Sequence, residues 1–217
     1  MGAPRNAGSH SMTDHPLEIA RRLHALARTG LHFSADEYDR ERYREIEGIA
    51  AELLGAQLPP DLQRLRSVWE CESGYVTPKV EVRGATFDAS GRVLLVRERA
   101  DGRWTLPGGW ADVNESPSQA VEKEIEQESG YVAAAVKLAA LYDRSRHGHG
   151  PTLFHSWKAF FLCEIRGGEP RHSYETDAVE FFAFGALPEM SLGRCTPRQV
   201  HRMHEHWIAR ELPTDFD

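Results

Sequence analysis

The chain has 217 residues, 41% of them apolar and 27% charged, with a formal net charge of −7. That length and apolar content suit one sizeable domain plus a smaller appendage. The acidic balance argues against a protein whose main task is gripping a nucleic-acid backbone, because such affinity rests on clustered Lys and Arg, and no stretch approaches the roughly eighteen apolar residues of a membrane span.

No charged-then-apolar leader opens the sequence, so the cytoplasm is the expected compartment. Cys71, Cys163 and Cys195 are odd in number and far apart, which supports neither a disulfide framework nor a zinc ribbon. Met1 to Ser11 lack periodicity and read as part of a flexible extension over residues 1–13, with Met12 as a natural start or Ser11 as the end of a cloning remnant.

Residues 14–72 read as an N-terminal helical domain. Leu17, Ile19, Leu23, Leu26 and Ala27 recur with helical spacing up to Gly30, the expected stop. Ser34-Ala35-Asp36-Glu37 opens a second helix as a capping box, and Ile46, Ile49, Ala50 and Leu53 give it an apolar stripe ending at Gly55. Leu58 to Trp69, after Pro59-Pro60, adds a third. So small a unit rarely buries its stripe alone, and a homodimer built through it is expected.

Between Ser73 and Pro78 the pattern changes from helical period to strand alternation, and residues 76–212 read as a second, larger domain. Val80, Val82 and Phe87, then Val93 to Val96 after Asp88-Ala89-Ser90-Gly91, predict a hairpin. Further strands are predicted near Val132 to Tyr142, Trp157 to Ile165 and Val179 to Phe184. A last helix is capped by Thr196, carries Pro197 at its first position and runs through Trp207. The fold class is α/β: a mixed sheet between helices, an α/β/α sandwich.

The segment with chemistry in it runs from Gly109 to Tyr131. Asp112, Glu115, Glu122, Glu124, Glu126 and Glu128 face a single base, Lys123. The last three acids precede Gly130 at the negative end of the helix dipole, where stability alone would not place them. Ser116 caps this helix, with Pro117 first inside it, Gln119 completing a capping box and Gly130 as its left-handed stop. Glu124 and Glu128 share a face, while Val121 and Ile125 form an apolar stripe on another. A hard divalent cation is the natural remedy for such crowding, and Leu106-Pro107-Gly108-Gly109 just before it lets backbone approach a ligand.

Gly109, Glu115, Lys123, Glu124, Ile125, Gln127, Glu128, Gly130 and Tyr131 stand where the Nudix hydrolases carry their box of Gly, Glu and a terminal Arg-Glu-apolar-x-Glu-Glu-x-Gly-apolar run. The chain resembles that family, and Thr77 to Val80, Leu141 to Arg144 and Ser191 to Arg194 extend the likeness to a branch with an added N-terminal domain. The resemblance implies the Nudix sandwich and hydrolysis of a nucleoside diphosphate linked to a group X, with CDP-choline and ADP-ribose as model substrates. It implies Mg²⁺, with Mn²⁺ as the alternative, held by Glu124, Glu128 and the Gly109 carbonyl, and Glu124 also as a catalytic group.

Lys123 replaces the family's Arg, and Gln127 replaces a glutamate with an amide that cannot take a proton near neutrality. The base is therefore sought downstream, where Glu175 lies about six residues before the aromatic strand at Phe181 and Glu180 competes from within that strand. Arg97, Arg144, Arg146 and His147, at predicted strand ends, are candidate phosphate contacts, and Trp110, ahead of Trp104, is the candidate for stacking on a base. A non-catalytic nucleotide sensor and a hydrolase acting on RNA ends are the competing readings.

Overall fold

The computed structural model describes residues 16–57, 72, 74–150 and 152–217. The chain divides into two compact units, Met1–Thr77 and Pro78–Asp217. The third helix expected over Leu58 to Trp69 lies outside the described residues, as does the extension before Pro16.

In the first unit α1 (Pro16–Phe33) and α2 (Glu37–Gln57) form a helical hairpin. The buried seam is narrower and made of smaller residues than the sequence pattern suggests. Leu17, Ala20, His24 and Ala27 of α1 are buried, as are Ala50, Ala51 and Leu54 of α2. Alanines at the seam let the two backbones come close, and the larger Ile19, Leu26 and Ile49 are left on the outside. Arg28 meets Glu47 at 2.9 Å across the hairpin.

Two helix limits differ from expectation. Gly30 does not stop α1, which runs on to Phe33. A Cβ at Gly30 would lie 2.3 Å from the Tyr43 ring, so glycine is there to admit the aromatic of the facing helix. The cap of α2 is Asp36, whose carboxylate accepts the Asp39 N–H at 3.1 Å, rather than Ser34. Gly30→Ala, which would favour an isolated helix by about 1 kcal/mol, is expected instead to destabilise this unit by about 1–3 kcal/mol through overpacking. A lower urea midpoint is the predicted result, and a raised one would contradict the packing described.

The second unit contains β1 (Lys79–Thr86), β2 (Val93–Glu98), β3 (Trp104–Thr105), α3 (Pro117–Ser129), β4 (Tyr131–Asp143), β5 (Ser156–Gly168), β6 (Thr176–Phe182), α4 (Pro197–Ile208) and β7 (Asp215–Phe216). A mixed sheet has the order β1-β5-β4-β7, and a second, antiparallel sheet has the order β3-β2-β6. β1 runs parallel to β5, with Val82 beside Ala159, and β5 runs antiparallel to β4. β1 and β2 are thus not a hairpin pair. The turn between them closes through Asp88 and Arg92, yet beyond the Phe87–Val93 bridge the strands part into different sheets.

Two apolar layers result. Val121 and Ile125 of α3 pack with Val82, Ala159 and Phe161 on one face of the mixed sheet. Between the sheets, Leu95, Leu106, Phe160 and Leu162 pack with Val200 and Met203 of α4. Alternation along β1 therefore sends Val82 toward α3 and its neighbours Glu81 and Arg83 to the opposite side. Both charged side chains are buried there, which is where the site begins.

Candidate active site

The helix α3 has the limits its capping residues dictate. Ser116 and Gln119 form a capping box, and Gly130 closes the helix at φ 79° with its N–H donating to the Glu126 carbonyl. Burial of Val121 and Ile125 on the sheet fixes the rotation of α3, which leaves Glu124 and Glu128 facing the Leu106 to Gly109 turn. Glu128 is 4% exposed and accepts the Gly108 N–H at 2.8 Å. Glu124 lies so close to Gly109 that a Cβ there would come within 2.8 Å of Glu124 Oε1. Gly108, at φ 148°, is pressed as tightly from the other side, because a Cβ would sit 2.0 Å from the Val82 carbonyl oxygen. The double glycine is what allows two carboxylates and a backbone turn to share this space.

The electrostatics follow from that crowding. Burial pushes Glu128 up to about 8, against the pull of Arg83 and the Gly108 N–H, and Glu98 and Glu124 push in the same direction as burial. Glu124 is raised too, by burial first, with Arg83 and Lys123 opposing. Glu124 accepts no hydrogen bond among the described residues. Two desolvated acids at one turn, one without a hydrogen bond, are the arrangement that a cation stabilises.

Beneath the turn lies a buried charge network. Arg83, 1% exposed, donates from Nε at 2.9 Å and Nη2 at 2.6 Å to Glu81 Oε1, and from Nη1 to the Leu106 carbonyl at 2.9 Å. Lys158 Nζ approaches the same Glu81 oxygen at 2.5 Å. Burial is the largest single influence on Glu81 and acts upward, but Arg83 and Lys158 together overcome it and hold the carboxyl down at about 2. Arg83 thereby ties the glycine turn to β1 and places positive charge behind the two acids.

An open cleft of about 530 Å³ lies over these groups, lined by Gly109, Trp110, Glu124, Glu175, Arg144 and Arg194 among others. A second, of about 400 Å³, shares Glu124, Gln127 and Glu175 with it and continues to Arg171 and His172. Glu175 is set by its own loop, where its N–H donates to Ser173 Oγ at 3.0 Å and its carbonyl accepts the Arg99 N–H at 2.9 Å. Glu180 pairs with Leu95 inside the antiparallel sheet and lines neither cleft.

One family model, described as the NUDIX domain, matches residues 77–202, and a second, described as a UDP-X-like N-terminal oligomerisation domain, matches residues 14–69. The chain belongs to the Nudix family of hydrolases. A Bacillus subtilis Nudix relative named "Putative ADP-ribose pyrophosphatase YjhB" is 39% identical over 201 residues, which span 93% of this chain and 96% of that one. Among solved structures, a UDP-X diphosphatase is 29% identical, with a TM-score of 0.61 over 93% of this chain and 97% of its own. An ADP-ribose pyrophosphatase from Streptococcus suis is 36% identical, with a TM-score of 0.60 over 65% of this chain and 100% of its own.

Within this Nudix site the substituted Lys123 still braces the loop before α3. Its Nζ reaches Asp112 Oδ2 at 2.7 Å and both oxygens of Glu115 at 2.7 and 2.8 Å. Glu115 is therefore a partner of Lys123 and lies outside the lining of either cleft. The Gly109 carbonyl accepts the Val82 N–H at 2.8 Å, which occupies one of its two acceptor directions.

The remaining sequence candidates separate cleanly. Arg144 and Trp110 line the larger cleft, whereas Trp104 is partly buried and packs against the core, edge-on to Phe182. Arg97, Arg146 and His147 line neither cleft. Arg97 pairs with Asp177 at 2.6 Å on the antiparallel sheet. Arg146 turns back toward Asp143 at 3.9 Å, and His147 stacks on Tyr142 and contacts Asp217. Sequence reasoning missed Glu81, Arg83, Lys158 and Arg194. The signal for the first two was present in Val80-Glu81-Val82-Arg83, which puts two opposite charges on one face of a strand whose other face is apolar.

Proposed function

We propose that this Nudix hydrolase is a Mg²⁺-dependent pyrophosphohydrolase of nucleoside diphosphates linked to a second group, of the ADP-ribose and UDP-X type, releasing a nucleoside monophosphate and phospho-X. The observation that carries this reading is the pair Glu124 and Glu128, desolvated against the double glycine at the edge of a cleft that also presents Arg144 and Arg194. The names borne by the Bacillus subtilis and Streptococcus suis proteins and by the UDP-X diphosphatase support the substrate class.

Among the described residues no three His, Cys, Asp or Glu side chains form a ready-made cation site. The residues nevertheless fit Mg²⁺, which is commonly held by one or two carboxylates with water and substrate phosphates completing its shell. Glu124, Glu128 and the free acceptor direction of the Gly109 carbonyl would hold it. When bound, the cation neutralises charge on the diphosphate and makes water a better nucleophile.

The chain's own side chains do the rest. Glu175 faces both clefts and takes the proton from the attacking water, a task closed to the amide of Gln127. Arg144 is held by the Gly150 carbonyl at 2.7 Å and the Gly193 carbonyl at 3.2 Å, so its guanidinium is positioned before substrate arrives. Trp110, 48% exposed beside the cleft, offers a face for the base. A screen of nucleoside diphosphate conjugates with Mg²⁺, read by product mass, tests the reading. Monophosphate plus phospho-X is expected, and tight binding without products would favour a sensor instead.

A homodimer completes the proposal. Ile19, Leu26 and Phe33 are 39%, 64% and 69% exposed and recur every seventh residue, one stripe along α1 that a second copy would cover. The oligomerisation domain matched over residues 14–69 supports the same assignment. Leu26→Glu is expected to shift sedimentation from dimer to monomer, and a dimer unaffected by it would place the interface elsewhere.

A further inference from the structure

Arg194 sits on a turn that the fold holds still. The Ser191 N–H donates to the Trp104 carbonyl at 2.7 Å, Ser191 Oγ donates to Asp101 Oδ2 at 2.7 Å, and the Cys195 N–H returns to the Ser191 carbonyl at 2.9 Å. Thr196 then begins α4 as its N-cap. From this turn the Arg194 side chain, 35% exposed, reaches the larger cleft that also contains Glu124, Glu175 and Gly109.

Behind it stands Glu98, at the end of β2 and 1% exposed. Its Oε1 lies 3.0 Å from Arg194 Nε, yet that buried oxygen makes no hydrogen bond, because no N–H is aimed at it. The contact is one of charge alone. None of the Arg194 side-chain donors makes a hydrogen bond among the described residues. A guanidinium has five N–H donors in a planar fork, and this one is anchored by attraction from behind while its donors remain available in front.

Burying an acid without a hydrogen bond costs stability, so its retention at Glu98 asks for a use. The cleft supplies one. Its acids repel a diphosphate, and the neighbouring Arg144 is tied to the same turn through the Gly193 carbonyl at 3.2 Å. The two arginines form a cationic side to the cleft, the complement of a substrate whose linkage carries negative charge on each phosphate.

We propose that Arg194 binds a non-bridging phosphate oxygen of the diphosphate linkage, and that Glu98 is the positioning residue that holds it in the cleft. The assignment rests on the pyrophosphohydrolase reading above and names a contact of that same site. Arg194 is not part of the cation site and takes no proton, so its loss weakens ground-state and transition-state binding together.

The test is steady-state kinetics of Arg194→Ala, Arg194→Lys, Glu98→Gln and the Glu98→Gln/Arg194→Ala double variant on ADP-ribose and UDP-glucose, with ADP as a competitive inhibitor. Arg194→Ala should raise KM and the inhibition constant of ADP about 10- to 100-fold, as for a lost charge-assisted hydrogen bond. Its kcat and its Mg²⁺ dependence should change far less. Arg194→Lys, which keeps charge on a side chain already part-exposed, should fall between. Glu98→Gln should raise KM in the same sense, and the KM of the double variant should be no higher than that of Arg194→Ala alone, since Glu98 acts on substrate binding through the arginine. An unchanged KM in Arg194→Ala overturns the contact, and full additivity in the double variant overturns the role of Glu98. A wild-type chain that turns over neither substrate nor any other conjugate overturns the pyrophosphohydrolase reading and this assignment with it.

Discussion

Glu124→Gln and Glu128→Gln should each lower kcat by about 10²- to 10⁴-fold, the scale of several kcal/mol lost from stabilisation of the transition state. The amide keeps the shape of each side chain but removes the charge that would hold the cation. The two variants should also share a second property. Glu128 is 4% exposed and Glu124 is held up by burial, so in the metal-free protein both side chains are kept there at the expense of stability. Each variant should therefore unfold at a urea concentration equal to or above that of the wild type when EDTA is present, while losing the stabilisation that added Mg²⁺ gives. Activity lost together with metal-free stability would mean that the carboxylates are structural.

The second large effect concerns the network beneath the site. Glu81→Gln leaves Arg83 and Lys158 buried without their shared acid, and the expected loss is about 3–5 kcal/mol. Lys158→Met should cost far less, because Arg83 alone still contacts Glu81 through two nitrogens. The pH dependence has a definite sign. Glu81 is held at about 2 in the folded protein, below the ordinary 4.5 of the unfolded chain. Its contribution is fully present above 4.5 and is lost as pH falls from there toward 2, with the unfolded state binding the extra proton. Urea titrations between pH 7 and pH 2.5 should show a steeper acid loss in the wild type than in Glu81→Gln. Equal slopes would mean that the network carries no net stabilisation.

Legibility in the sequence followed the range of the interactions. The limits of α3 and α4 were readable because capping is local: Ser116 with Gln119, Gly130, and Thr196 with Gln199 each act within a few residues. The pairing of Glu124 with Glu128 was readable for the same reason, since helical spacing alone puts them on one face. Gly30 misled because its role is set by Tyr43, thirteen positions away on another helix. The β1 and β2 hairpin misled because the turn at Asp88 to Arg92 is local, whereas the partner that β1 takes, β5, is chosen by the whole sheet. β3 and β7 have two residues each, too few to show any period.

Among the site candidates, strand ends were identifiable but the end that faces the cleft was not. Arg144 and Arg97 look alike in sequence, and topology alone puts the first in the cleft and the second against Asp177. Lys158 gave no signal at all, since a lone lysine within an aromatic strand reads as an outward-facing residue. It becomes intelligible only once β5 lies beside β1 and Lys158 meets Glu81.

In the proposed reaction Glu124 and Glu128 would gather a divalent cation against the double glycine to cleave a diphosphate linkage. The most direct measurement is hydrolysis of ADP-ribose and of a UDP-sugar in ¹⁸O-labelled water, with Mg²⁺ or with EDTA, by the wild type and by the Glu124→Gln/Glu128→Gln double variant, with products weighed by mass spectrometry. Nucleoside monophosphate and a sugar phosphate are expected from at least one substrate, with one ¹⁸O atom in a phosphate product, and no products in EDTA or from the double variant. Products formed equally by the double variant, or equally in EDTA, would contradict the proposed reaction.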